Sequence, residues 1–159
     1  MANPVVKLGE ILVKKGWIDH ETLAHALREQ VLTRDFLGHI LLKGRKISEE
    51  QLAMALSEQS GIPFIRLTNF YVDWNLVMEF SAALILDRKC FPLRATQMEV
   101  TFAIANILDE RALAQMESER KGYRVKSVLV TQSDMNDLLE RYRQYVNIKM
   151  RRQLDSETA

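Results

Sequence analysis

The chain has 159 residues, 47% hydrophobic and 27% charged, the composition of a folded globular chain with enough length for one domain or two small ones. Lys plus Arg number 22 and Asp plus Glu 21, a net charge of +1, which argues against binding driven by phosphate neutralisation, so no DNA or RNA partner is expected. The longest apolar runs, such as Ala82 to Leu86, are far short of a membrane span. Met1-Ala2-Asn3-Pro4 has no secretory pattern, and the single Cys90 reads as a small buried hydrophobe. The expected location is cytoplasmic, with no direct membrane insertion.

From its beginning the chain repeats itself. Lys7 to Gln30 aligns without a gap on Phe36 to Gln59, a shift of 29 positions, with 13 of 24 residues identical and Val31 to Asp35 between the copies. A period in this range marks stacked supersecondary units, and two copies predict a pseudo-symmetric pair rather than a solenoid. Each copy reads as a helical hairpin. In the first, Leu8, Ile11 and Leu12 open a short helix that Lys14, Lys15 and Gly16 end. Asp19 then caps a second helix with an apolar stripe at Leu23, Ala26, Leu27, Gln30 and Val31. In the second copy Ser48 is the cap, Gln51 stands at the capping-box position, and Leu52, Ala55, Leu56 and Gln59 repeat the stripe.

The rhythm changes after Gly61-Ile62-Pro63, where proline disfavours further helix. Asp73 to Arg88 is predicted helical, with Leu76, Phe80, Ala83, Leu84 and Asp87 along one face. Cys90 to Arg94 and Val100 to Ala105 are predicted strands joined at Ala95-Thr96-Gln97. A helix over Asp109 to Lys121, a strand over Val125 to Val130 and a helix capped by Thr131 complete the pattern. The fold class expected is α+β: two tandem helical hairpins, four helices in all, followed by a small α/β sheet unit. The expected divisions are a repeat subdomain over 1–62, an α/β subdomain over 63–147 and a polar C-terminal tail over 148–159 that frays.

Motifs for chemistry are absent. The chain has no G-x-x-x-x-G-K-[ST] phosphate loop, no G-x-S-x-G elbow and no G-x-G-x-x-G fingerprint. His20 and His25 are five residues apart, roughly 140° round a helix, so they do not form a metal pair. No enzyme, metal or cofactor is expected, and ATP hydrolysis should be undetectable. What stands out is polar and small content inside the repeat. Gly9 and Gly38 fall within helices, where glycine costs about 1 kcal/mol relative to alanine. Either they allow close helix packing or they let a ligand approach the backbone. Gln30 and Gln59 are either surface caps or amides that meet the polar edge of a ligand with internal symmetry.

The pattern L-G-x-x-L-V-x-x-G-x-I-x-x-x-x-L-x-x-A-L-x-x-Q, carried twice with a five-residue spacer, resembles the N-terminal domain of type II secretion and type IV pilus assembly ATPases. Gly61 to Leu67, Phe91-Pro92-Leu93 and Ala103-Ile104-Ala105-Asn106 resemble the rest of that domain, so that roughly residues 5 to 145 are covered. The resemblance implies a regulatory or adaptor domain, a stand-alone relative or one excised from its ATPase. The family form called MshEN binds cyclic di-GMP, each motif holding one half of the dinucleotide. Carried over residue by residue, the first motif supplies Lys7, Leu8, Gly9, Leu12, Leu23, Leu27 and Gln30. The second supplies Phe36, Leu37, Gly38, Leu41, Leu52, Leu56 and Gln59. Lys7 and Phe36 stand where the family has arginine: lysine keeps the charge without the planar fork, and phenylalanine stacks but cannot donate. In the second motif Arg45 occupies the place of the inner glycine, with Gly44 one residue earlier. The alternative the resemblance leaves open is a docking module for an assembly partner, a membrane-platform component or the ATPase, with no nucleotide bound.

Overall fold

The structure, a computed structural model, describes residues 7–107, 110–120 and 122–159. The chain divides into two compact units, meeting in sequence between Phe64 and Ile65.

The first unit holds four helices: α1 (Leu8–Lys14), α2 (His20–Thr33), α3 (Leu37–Lys43) and α4 (Glu49–Ser60). The repeat is visible in the backbone itself. Lys7 and Phe36 precede α1 and α3 with φ/ψ of −71/142° and −72/139°, and Lys15 and Gly44 follow them at −77/−7° and −75/1°. Each of these short helices ends in the same pair of bonds, Trp17 N to Leu12 O with Gly16 N to Val13 O, and Lys46 N to Leu41 O with Arg45 N to Leu42 O. That is the Schellman closure, which needs a left-handed residue, here Gly16 (φ 71°) and Arg45 (φ 55°).

The longer helices begin as the sequence predicts. Asp19 accepts from the Thr22 amide at 2.7 Å, and the hydrogen bonds from Thr22 hold its carboxyl below the ordinary value of 3.8. Ser48 and Gln51 complete a reciprocal capping box. The helices pack crosswise, α1 on α4 and α3 on α2. They bury Ile11, Leu12, Ile18, Ala26, Ile40, Leu41, Ile47 and Ala55 as one cluster. Matching halves of each copy supply this core, which is why an internally repeated sequence can close on itself.

The second unit is a three-stranded sheet with helices. Strand β1 (Phe91–Ala95) pairs antiparallel with β2 (Glu99–Ile104), and β2 pairs in parallel with β3 (Arg124–Leu129) through the crossover helix α6 (Glu110–Glu119). The register of β1 shifts between Pro92 and Arg94, since a proline without N–H is tolerated in an edge strand or at a bulge. Central β2 has Val100, Phe102 and Ala103 fully buried. The N-terminal half of α7 (Gln132–Glu157) covers β1 with Met135, Leu138, Leu139 and Tyr142, and Thr131 caps it through the Asp134 amide at 3.1 Å. Burial pushes the Tyr142 hydroxyl above its ordinary value.

The fold is therefore α+β, with the helical repeat preceding the sheet unit. Two local expectations change. The helix expected over Asp73 to Arg88 is interrupted: α5 covers Trp74–Val77 and a π-helical turn covers Ala83–Asp87. The cause is Ser81, whose hydroxyl and amide both donate to Glu119 of α6 while its oxygen accepts from the Leu84 amide, so that the chain restarts there. The tail expected from residue 148 is instead helix as far as Glu157. Lys, Met, Arg, Gln and Leu favour helix, and no glycine or proline interrupts them. The limits expected for α6, Asp109 and Lys121, lie outside the described residues.

Candidate functional site

The motif residues separate into two groups by burial. Leu12 and Leu41 are 0% and 1% exposed and belong to the core. Gly9 and Gly38 are buried as well, and the reason is a neighbouring helix. A Cβ at Gly9 would lie 2.6 Å from Leu23 Cδ1, and one at Gly38 would lie 2.8 Å from Leu52 Cδ1. Leucine side chains thus occupy the space over both glycines, which favours helix packing, of the two readings open for them, over a ligand approaching the backbone. Leu8, Leu23, Leu37 and Leu52 are half-buried against the same core.

The rest reach solvent. Lys7 is exposed at the opening of α1, and Phe36 is 58% exposed at the opening of α3. Leu27 is 43% exposed on α2, and Leu56, Gln30 and Gln59 are half-buried. The residues that join the two copies hold Phe36 in place. Gln30 Nε2 donates to the Asp35 carbonyl at 3.1 Å, Asp35 N to Thr33 Oγ1 at 3.2 Å, and Phe36 N to Asp35 Oδ1 at 2.9 Å. The Phe36 ring lies edge-on to His39 with centroids 5.8 Å apart. Gln30 therefore fastens the link between the copies through its amide nitrogen. Its carbonyl oxygen is not used in that bond.

Beside Leu27 the apolar surface continues through Val31 and Leu32, both largely exposed. The sequence places Val31 on the buried stripe. Only Ala26 among the residues of α2 is buried, and Val31 at its C-terminal end is 79% exposed. A different opening, a groove of about 350 Å³ between α2 and α3, includes Leu41 alone of the motif residues. It is bordered by Glu21, His25 and Glu29, which repeat every four residues along α2; from the sequence alone His25 is weighed only as a metal ligand and the three are not joined. Among the described residues no set of three or more His, Cys, Asp or Glu is placed to hold a metal, and no helix is long and apolar enough to cross a membrane.

Residues 60–146 match the family model described as the MshEN domain, more than half of the chain. The chain belongs to the MshEN domain family. The match lies over the sheet unit and reaches back only to Ser60, the last residue of α4, so the likeness of the repeat unit rests on other comparisons. The type IV pilus assembly ATPase PilB of Thermus thermophilus is 38% identical over 117 residues, more than either unit contains. That alignment takes in 70% of this MshEN chain and 12% of PilB, so the chain spans about an eighth of the length of this relative.

Among solved structures, one of MshE with cdg superposes with a TM-score of 0.76 at 24% identity, covering 86% of this chain and 99% of that one. The N-terminal domain of XpsE gives 0.62 at 18% identity, covering 89% and 98%. At these identities the likeness shows the fold, and its coverage extends over both units.

Proposed function

We propose that this MshEN domain is a non-catalytic regulatory domain of a type IV pilus or type II secretion ATPase, with the helical repeat as its sensing element for cyclic di-GMP. The observation that carries the reading is the conformational match at Lys7 and Phe36. Two helices open with the same backbone geometry, each followed by Leu-Gly and each accompanied by a partly accessible leucine, Leu27 or Leu56, and a glutamine, Gln30 or Gln59. A duplicated site suits a ligand made of two identical halves. MshE, solved with cdg, supplies the chemical class.

In this reading Leu8, Leu27, Leu37 and Leu56 offer apolar contact to the bases, and Gln30 and Gln59 meet their polar edges. Phe36 stacks on one base, and Lys7 supplies charge to the other half. Gly9, Gly38, Leu12, Leu41, Leu23 and Leu52 set the spacing of the helices rather than touch the ligand. The cation at only one opening makes binding salt-sensitive and weaker than two arginines would give.

Calorimetric titration with cyclic di-GMP tests the reading. Binding is expected for the native chain, tighter for Lys7→Arg with Phe36→Arg, and weaker as salt rises. Absence of heat with both proteins overturns it. The surface of Leu27, Val31, Leu32 and Phe36 favours a second reading, docking of an assembly partner through an apolar patch. A partner that binds equally with and without cyclic di-GMP and is lost on Val31→Glu would establish that reading instead.

A further inference from the structure

The two halves of the repeat unit differ at one place, and the difference leaves a hole. Where α1 meets α4, Lys15 Nζ lies 2.9 Å from the Glu58 carboxylate and 5.4 Å from the centre of the Trp17 ring. The chain thus closes that seam with its own cation and its own aromatic. At the equivalent seam, where α3 meets α2, the matching residues are Gly44, Lys46 and Glu29. Gly44 brings no side chain and Lys46 no ring. There the groove opens over the buried Ala26, Ile40 and Leu41. The Glu29 carboxylate has no ion-pair partner among the described residues, although its counterpart Glu58 has one.

We propose that this groove docks a segment of a partner protein that presents a lysine two residues before an aromatic, in the places that Lys15 and Trp17 fill on the other side. Three features support this occupant. Glu21 and Glu29, set against the one lysine on the border, Lys46, leave the groove net acidic and complementary to a cation, the apolar floor is complementary to a ring, and the fold already shows the same pair seated against the same kind of surface. This face of α2 is distinct from the one proposed for cyclic di-GMP. Glu21, His25 and Glu29 follow one line along the helix, while Leu27 is roughly 200° round from His25 and Gln30 roughly 100° round from Glu29.

The experiment is an NMR titration of the 15N-labelled chain with the peptide acetyl-Lys-Gly-Trp-amide. Saturable shifts are expected at the amides of Glu29 and Gly44, with none at Lys15 and Glu58. Acetyl-Glu-Gly-Trp-amide should produce no such shifts. Glu29→Gln, a surface change, should weaken the lysine peptide about fivefold, the size of a partly exposed ion pair, and leave cyclic di-GMP binding unchanged. Gly44→Lys with Lys46→Trp should fill the groove from within, raise the unfolding midpoint and remove the peptide shifts. The proposal is overturned if the native chain shows no shifts, if both peptides act alike, or if Glu29→Gln retains full affinity. Self-association of the native chain that disappears in Glu29→Gln would place a second copy in the groove and overturn it equally.

Discussion

Positions 16 and 45 share a left-handed backbone in equivalent helix closures, yet one is glycine and the other arginine. Nothing lies within 4 Å of a Cβ built at Gly16, so the difference between the two sites is one of backbone strain rather than space. Arg45→Gly should stabilise the chain by about 1 kcal/mol and Gly16→Ala should destabilise it by about the same amount, as measured by urea unfolding. Equal loss at both positions would contradict the matching geometry.

The intrahelical glycines report on packing. Gly9→Ala places a methyl group against Leu23 and should cost about 1–3 kcal/mol, while the pair Gly9→Ala with Leu23→Val should recover part of the loss in a double-mutant cycle. The glycine pattern was legible in the sequence, and its repetition showed that it mattered. Which neighbour filled the space was not legible, because Leu23 reaches Gly9 only once the hairpin has closed.

At the scale of elements, the caps were readable because they are local: Asp19 with Thr22, Ser48 with Gln51 and Thr131 with Asp134 each lie three residues apart. The interruption after Val77 was not, since it depends on Ser81 reaching Glu119, 38 residues away. Partial burial alone would raise the Glu119 carboxyl, but hydrogen bonds from Ser81 and Gln115 outweigh it and hold the group below its ordinary value of 4.5. A depressed carboxyl stabilises the fold above pH 4.5, and that contribution is lost as the pH falls through its folded value. Ser81→Ala should therefore cost about 1 kcal/mol at neutral pH and flatten the loss of stability below pH 4.5. An acid-unfolding curve parallel to the native one would contradict this. Residues 147–157 of α7 are exposed helix, so ending the chain at Asn147 should reduce the far-ultraviolet helix signal while leaving the unfolding midpoint unchanged.

For the whole molecule, the duplicated sequence is expressed as a duplicated structure, followed by a sheet unit that carries most of the family match. The motif residues were all readable in the sequence, but their division into core and surface needed the fold. Leu12 and Leu41 look like the other motif leucines until the crosswise packing buries them. In the proposed function the two copies act as equivalent halves of one ligand site. The most direct measurement is an NMR titration with cyclic di-GMP that follows the backbone amides at the two openings, Leu8 and Leu37, together with the side-chain amides of Gln30 and Gln59. All four are expected to shift together and to saturate at one dinucleotide per chain. Shifts confined to one copy, confined to residues 65–159, or absent throughout would contradict it.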